Sequence, residues 1–249
     1  MIIVCGSSHD DILYFEKVLM NKREEVILNR YKASIGMVFN QELIVISGLY
    51  SSSLSSAIIT YLLNKYYIDL IIDVGNCQGI DKKTKTGDIV ISNNIIDVNV
   101  DLSLVNNVGL GVIPGFKRDF NVQNDIITYL KKGMNKRSYV NSYNAVFLSS
   151  DNLTQETLKT LSERREIFGI TDEMIVVDHN SSGVALAATL RDVPYVSIKV
   201  VQNQLDQENK IDNYLKVLDK YIDLGKAVTS TIGDIGRNDI LRGGVGHGK

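Results

Sequence analysis

Two acids, Asp10 and Asp11, follow Gly6-Ser7-Ser8-His9 where an apolar run gives way to a helical pattern. A carboxylate so placed in a pocket could take a proton from water. Acids also gather at helix starts because the macrodipole favours them there, so both readings stand. A second cluster is Asp178-His179-Asn180. Histidine beside a carboxylate suits proton transfer, and it equally suits a stacked or hydrogen-bonded pocket contact. Two glycine turns could bring backbone N–H groups to a ligand: Ser47-Gly48-Leu49, and Asp73-Val74-Gly75-Asn76-Cys77-Gln78-Gly79. Each also serves as an ordinary turn between strand and helix. His9, His179 and His247 are far apart, and Cys5 and Cys77 form no metal-spaced pair, so no metal and no cofactor is expected.

These groups need elements to hold them. Short runs rich in Ile and Val, at 2–5, 43–47, 70–74, 89–92, 145–148, 175–177 and 195–200, read as strands buried on both faces. Helical spacing of apolar residues covers 10–22, 52–65, 124–133, 155–168, 181–191 and 210–224. Strand alternating with helix predicts an α/β fold, a single domain with a central mixed, mostly parallel sheet flanked by helices. From Asn93 to Gly115 the helical period is lost, which predicts a strand running into a long, functional loop. The domain is expected to span 1–232, with a glycine-rich, flexible tail over 233–249.

Bulk properties narrow the partners. The 249 residues suffice for one large α/β core, and a net charge of −2 argues against a nucleic-acid partner. No apolar run is long enough for a membrane span, and the N-terminus reads as a buried strand, not a signal peptide. The two unpaired cysteines fit a reducing, cytoplasmic compartment.

Order and spacing point further. A strand, a glycine and acids (Ile2 to Asp11) are followed by Ser47-Gly48 before a Ser/Ala-rich helix, and then by Gly75-Asn76-Cys77-Gln78-Gly79. Gly87-Asp88-Ile89-Val90 follows, then Pro114-Gly115, then Ser149-Ser150-Asp151-Asn152-Leu153. In this order the blocks resemble the purine nucleoside phosphorylase and nucleosidase superfamily, and within it the methylthioadenosine/S-adenosylhomocysteine nucleosidases. The resemblance implies that fold and cleavage of a purine N-glycosidic bond, with a proton or hydrogen bond to the base, a carboxylate on the ribose and an activated nucleophile.

Residue by residue, the resemblance puts Asp11 where the family's glutamate activates water, though aspartate reaches about 1.5 Å less far. It puts Asn180 at the ribose clamp, His179 at a contact beside the sugar and Asn203 at the base-protonating acid. An amide can bond ribose hydroxyls but supplies no negative charge. At the base, an amide matches the N7 and O6 of 6-oxopurines better than an aminopurine. Further substrate contacts are implied for Asp178, Ser47, Gly48, Gly75, Asn76, Asp151, Asn152, Leu153 and Pro114. Leu102, Leu104 and Val105 would reach the 5′ side from a homodimer partner. Tyr50 and the lack of arginine after Gly48 speak against a bound phosphate. Two functions follow: a divergent hydrolytic nucleosidase, or a member without turnover that binds a nucleoside or a protein partner as a sensor or subunit.

Overall fold

The computed structural model describes residues 1–106, 108–135, 142–205 and 211–238. Strand β1 (Ile2–Gly6) is buried throughout because it lies between two parallel neighbours, β4 (Gln41–Ile46) and β5 (Leu70–Gly79). That position demands apolar side chains on both faces, which is what Ile2-Ile3-Val4-Cys5 supplies. Helix α1 (His9–Val18) starts in a capping box, with Ser8 accepting from the Asp11 N–H and Asp11 Oδ2 accepting from the Ser8 N–H at 2.8 Å.

Where helical spacing predicts one helix to residue 22, the chain leaves α1 at Val18 and forms a hairpin, β2 (Met20–Ile27) and β3 (Tyr31–Val38). β2 is the sheet's outer strand, and its Lys22-Arg23-Glu24-Glu25 run is exposed. Charges on an edge discourage pairing with another chain, and they also hide the strand from a hydrophobicity pattern.

The remaining elements are α2 (Ser52–Lys65), β6 (Ile89–Asp97), α3 (Ser103–Asn106), β7 (Asp119–Asn121), α4 (Asn124–Asn135), β8 (Ser142–Ser149), α5 (Gln155–Glu163), a short 3-10 turn (Arg165–Phe168), β9 (Met174–Asp178), α6 (Ser181–Thr189), β10 (Tyr195–Gln204) and α7 (Ile211–Asn238). The sheet is mixed, in the order β10-β6-β8-β9-β5-β1-β4-β3-β2, with β7 on β6. β10 also pairs with β5, so β5, β10, β6, β8 and β9 close into a ring. Parallel pairs form the middle of the sheet, while the hairpin and the β9–β5 and β10–β6 contacts are antiparallel.

Helix α7 passes through Gly233 to Asn238, into the segment expected to be a flexible tail. A Cβ at Gly233 would strike the Phe39 ring at 2.5 Å, so this glycine serves close packing. The rest of that tail lies outside the described residues. Helices α2 and α6 also touch through a glycine: a Cβ at Gly183 would fall 1.9 Å from the Ser52 carbonyl oxygen. No helix among the described residues is long and apolar enough to cross a membrane.

Candidate active site

The ring brings distant segments together by register. Asn203 on β10 lies beside Gln78 on β5, which lies beside Val177 on β9. Ser149 on β8 lies beside Asp178. Asp11, at the start of α1, stands over Gly75, whose positive φ of 148° and missing side chain admit it; a Cβ there would meet the carboxyl carbon at 3.1 Å. The register therefore sets Asn203 and the Asp178-His179-Asn180 segment beside residues 75–79 of β5, with Asp11 against Gly75.

Beneath them is a buried ionic network that the motifs did not disclose. Lys199 is fully buried, and its Nζ donates to Asp73 Oδ1 at 2.9 Å and Asn180 Oδ1 at 2.9 Å, with Asp73 Oδ2 at 2.8 Å. Asn180 Nδ2 donates to Asp73 Oδ1 at 2.8 Å, and Ser197 Oγ donates to Asp73 Oδ2 at 2.9 Å. Asp178 Oδ2 stands 3.7 Å from Lys199, and Ser181 Oγ donates to Asp178 Oδ1. Burial alone would depress the lysine, but Asp73 and Asp178 more than offset it and hold the ammonium above its ordinary pKa. Burial raises the Asp178 carboxyl, against the pull of Lys199. Asn180, expected at the ribose, is thus fully buried with both ends of its amide engaged, one layer below half-buried His179 and Asn76.

A sequence signal for this network exists. Asp73 and Lys199 are lone charges of opposite sign inside the apolar runs Leu70-Ile71-Ile72-Asp73-Val74 and Val196-Ser197-Ile198-Lys199-Val200. Such residues are almost never fully buried unless paired.

Asp11 is buried and its pKa is raised, first by desolvation; the Ser8 hydrogen bonds and Lys199 pull the other way. Five buried side-chain polar atoms among the described residues lack a hydrogen-bond partner, and Asp11 Oδ1, Asp178 Oδ2 and His179 Nε2 are three of them. Buried polar atoms are ordinarily paired, so Asp11 Oδ1 and His179 Nε2 are atoms to which a ligand would supply partners, whereas Asp178 Oδ2 faces the Lys199 ammonium. Around the site, α7 contributes Asn213, whose Nδ2 donates to Asn203 Oδ1 at 2.9 Å, and Tyr214, whose hydroxyl donates to Asp10.

Other expected contacts lie further out. Gly48 N–H donates to the Ser7 carbonyl and Leu49 N–H to that of Gly6, so this turn is tied to its own chain, and Tyr50 beside it is 62% exposed. Asp151 Oδ1 accepts from Ser52 N–H at 2.8 Å, placing a carboxylate at the start of α2. Asn152 N–H donates to Ser150 Oγ, and Leu153 is partly exposed. Leu102 and Pro114 lie on the segment joining β6 to β7, with Leu104 fully exposed; the Val105 side chain lies outside the described residues. No cluster of His, Cys, Asp and Glu suited to a metal occurs among the described residues.

A sequence profile of the phosphorylase superfamily matches residues 1–232. The chain belongs to this superfamily. A 5′-methylthioadenosine/S-adenosylhomocysteine nucleosidase from Buchnera aphidicola (subsp. Acyrthosiphon pisum, strain APS) is 27% identical over 214 residues, covering 84% of this chain and 87% of the relative. Among solved structures, the corresponding nucleosidase of Neisseria meningitidis, in complex with methylthio-immucillin-A, superposes with a TM-score of 0.82 at 18% identity over 94% of this chain and 98% of that one. The nucleosidase of Colwellia psychrerythraea, in complex with adenine, gives 0.81 at 17% identity over 93% and 94%. These superpositions establish the nucleoside phosphorylase/nucleosidase fold of this superfamily member.

Proposed function

We propose that this chain is a purine-nucleoside N-glycosidase that uses water. The observation that carries the reading is the buried Asp11 Oδ1, which lacks a hydrogen-bond partner and whose carboxyl group stands against the bare Cα of Gly75. The similarity to nucleosidases supports the reaction class.

In this reading Asp11 activates water. Its Oδ2 is held by the Ser8 N–H, so Oδ1 is the oxygen aimed at the nucleophile. Half-buried Asn76 and His179 meet the ribose, and Asn180 supports them from beneath. Asn203, whose carbonyl accepts from Asn213, reads the base edge, an amide matching the N7 and O6 of a 6-oxopurine. That favours 6-oxopurine nucleosides over adenosine derivatives. Water is favoured over phosphate because the Gly48 turn is committed to Gly6 and Ser7 and the start of α2 to Asp151. Exposed Leu104, with half-buried Leu102 near it, supports a homodimer in which this segment reaches a partner's site.

The test is purine release by chromatography from inosine, guanosine, adenosine, methylthioadenosine and S-adenosylhomocysteine, with and without phosphate. Release from inosine or guanosine, independent of phosphate, is the expected result. No release at high protein concentration, with nucleoside still raising the melting temperature, would replace the enzyme by a nucleoside-binding protein. The amides at Asn180 and Asn203 are the observation that favours that second reading.

A further inference from the structure

One face of β5 holds an arrangement that neither the motifs nor the family resemblance assigns. Asp73 and Gly75 are two residues apart on a strand and so point to the same face. Their register partners on β10 are Ser197 and Lys199. Paired residues on neighbouring strands share a face, and the contacts agree: Ser197 and Lys199 both bond Asp73. Asp11 comes onto this same face at Gly75, where any side chain would collide with its carboxyl group at 3.1 Å. Gly75 thus has the Asp11 carboxyl against its bare Cα and Lys199 as its register partner on β10.

Charge within this small volume is uneven. Asp11, Asp73 and Asp178 surround a single lysine, and all four are buried. A further acid at position 180 would bring a fourth carboxylate onto the same ammonium, because Asn180 Oδ1 already lies 2.9 Å from Nζ. Among the described residues, the other charged and titratable groups that act on Asp11 add no cation. From α7 come the hydroxyls of Tyr214 and Tyr221, and Asp10 of α1 accepts from Tyr214. β1 brings the buried Cys5 thiol.

We propose that Lys199 is a positioning residue for Asp11: anchored by Asp73 and Asn180, its ammonium favours Asp11 as a carboxylate, while the amide of Asn180 keeps a further acid from competing for it. The loss of an acid at position 180 is then a condition of the site's charge balance, not a sign of decay. The inference rests on Asp11 being the group that activates water. The effect of Lys199 on Asp11 runs in the required direction, opposing the rise due to burial.

The experiment is a carboxyl-carbon NMR titration of the full chain labelled at aspartate, with the Asp11 signal assigned by its loss in Asp11→Asn. Removing one unit charge a few ångströms away, at an effective dielectric constant of about 20, corresponds to roughly one to two pH units. The Asp11 midpoint is expected to rise by that amount in Lys199→Met and also in Asn180→Asp, and to stay near the wild-type value in Lys199→Arg. A wild-type midpoint in both Lys199→Met and Asn180→Asp overturns the inference. Should Lys199→Met fail to fold, the nearly isosteric Asn180→Asp decides by itself. A purely structural role for Lys199 would lower the melting temperature without moving the midpoint. Purine release is measured separately on the same samples. Coupled titration without release would overturn the nucleosidase reading alone, and release with uncoupled titration would overturn this inference alone.

Discussion

Replacing Asp73 by alanine tests the network beneath the site most directly. The substitution removes both carboxylate contacts to the Lys199 ammonium, at 2.8 and 2.9 Å, and leaves Asn180 Oδ1 and the more distant Asp178. Because Lys199 is fully buried, solvent cannot take over the lost partner. Breaking a buried pair by removing one member costs about 3–5 kcal/mol, and the nearby Asp178 argues for the lower half of that range. Urea denaturation at pH 7 measures it, as a fall in midpoint at constant slope. The penalty has a pH signature. In the variant the folded-state pKa of Lys199 falls below its unfolded value, so stability is lost as pH drops through the lysine range and regained near pH 10. The double variant Asp73→Ala/Lys199→Met should be more stable than the sum of the single changes by about 1–3 kcal/mol, since it leaves no orphaned charge. A loss below about 1 kcal/mol in Asp73→Ala, with no recovery at high pH, would show that this pair is not a buried ion pair of the kind described.

Three further outcomes are expected. Asp11→Asn should abolish purine release while nucleoside still raises the melting temperature; in the wild type, activity should fall as pH drops through an Asp11 pKa above the ordinary carboxylate value, and a rate profile without that acid limb would count against Asp11. The same raised pKa means that protonated Asp11 contributes stability below the unfolded pKa, which is lost as pH rises through the folded one, so at pH 7 ionised Asp11 disfavours folding and Asp11→Asn should be more stable than wild type by urea denaturation. Gly183→Ala should cost about 2 kcal/mol or more, because its methyl group would lie 1.9 Å from the Ser52 carbonyl and force α2 and α6 apart; a wild-type thermal midpoint would refute that contact.

Much of the architecture was legible because burial leaves a local trace. A strand such as Ile2-Ile3-Val4-Cys5, covered on both faces, must be apolar at every position. The hairpin at β2 and β3 was not legible, since an exposed edge strand made of Lys22-Arg23-Glu24-Glu25 satisfies no apolar period. Apolar spacing follows helix α7 only to Leu224, and the polar, glycine-rich composition after Gly233 reads as a tail, whereas the helix continues to Asn238 with Gly233 packed against Phe39.

For the site, the sequence by itself determined which groups are present: the acids at the start of α1, the stretch 75–79, which reads as a turn but forms the second half of β5, and amides at 180 and 203 in place of acids. Their order along the chain was enough to indicate the superfamily. It did not determine how charge is shared among them. Asp73 and Lys199 are 126 residues apart, and they pair only because β10 lies in one particular register on β5. A shift of that register by one residue would turn Lys199 to the opposite face and leave Asp73 unpaired. Register is fixed by the packing of the whole ring of strands, so the partner of each buried charge, and the burial of Asn180 below the surface of the site, are decided only by the tertiary structure.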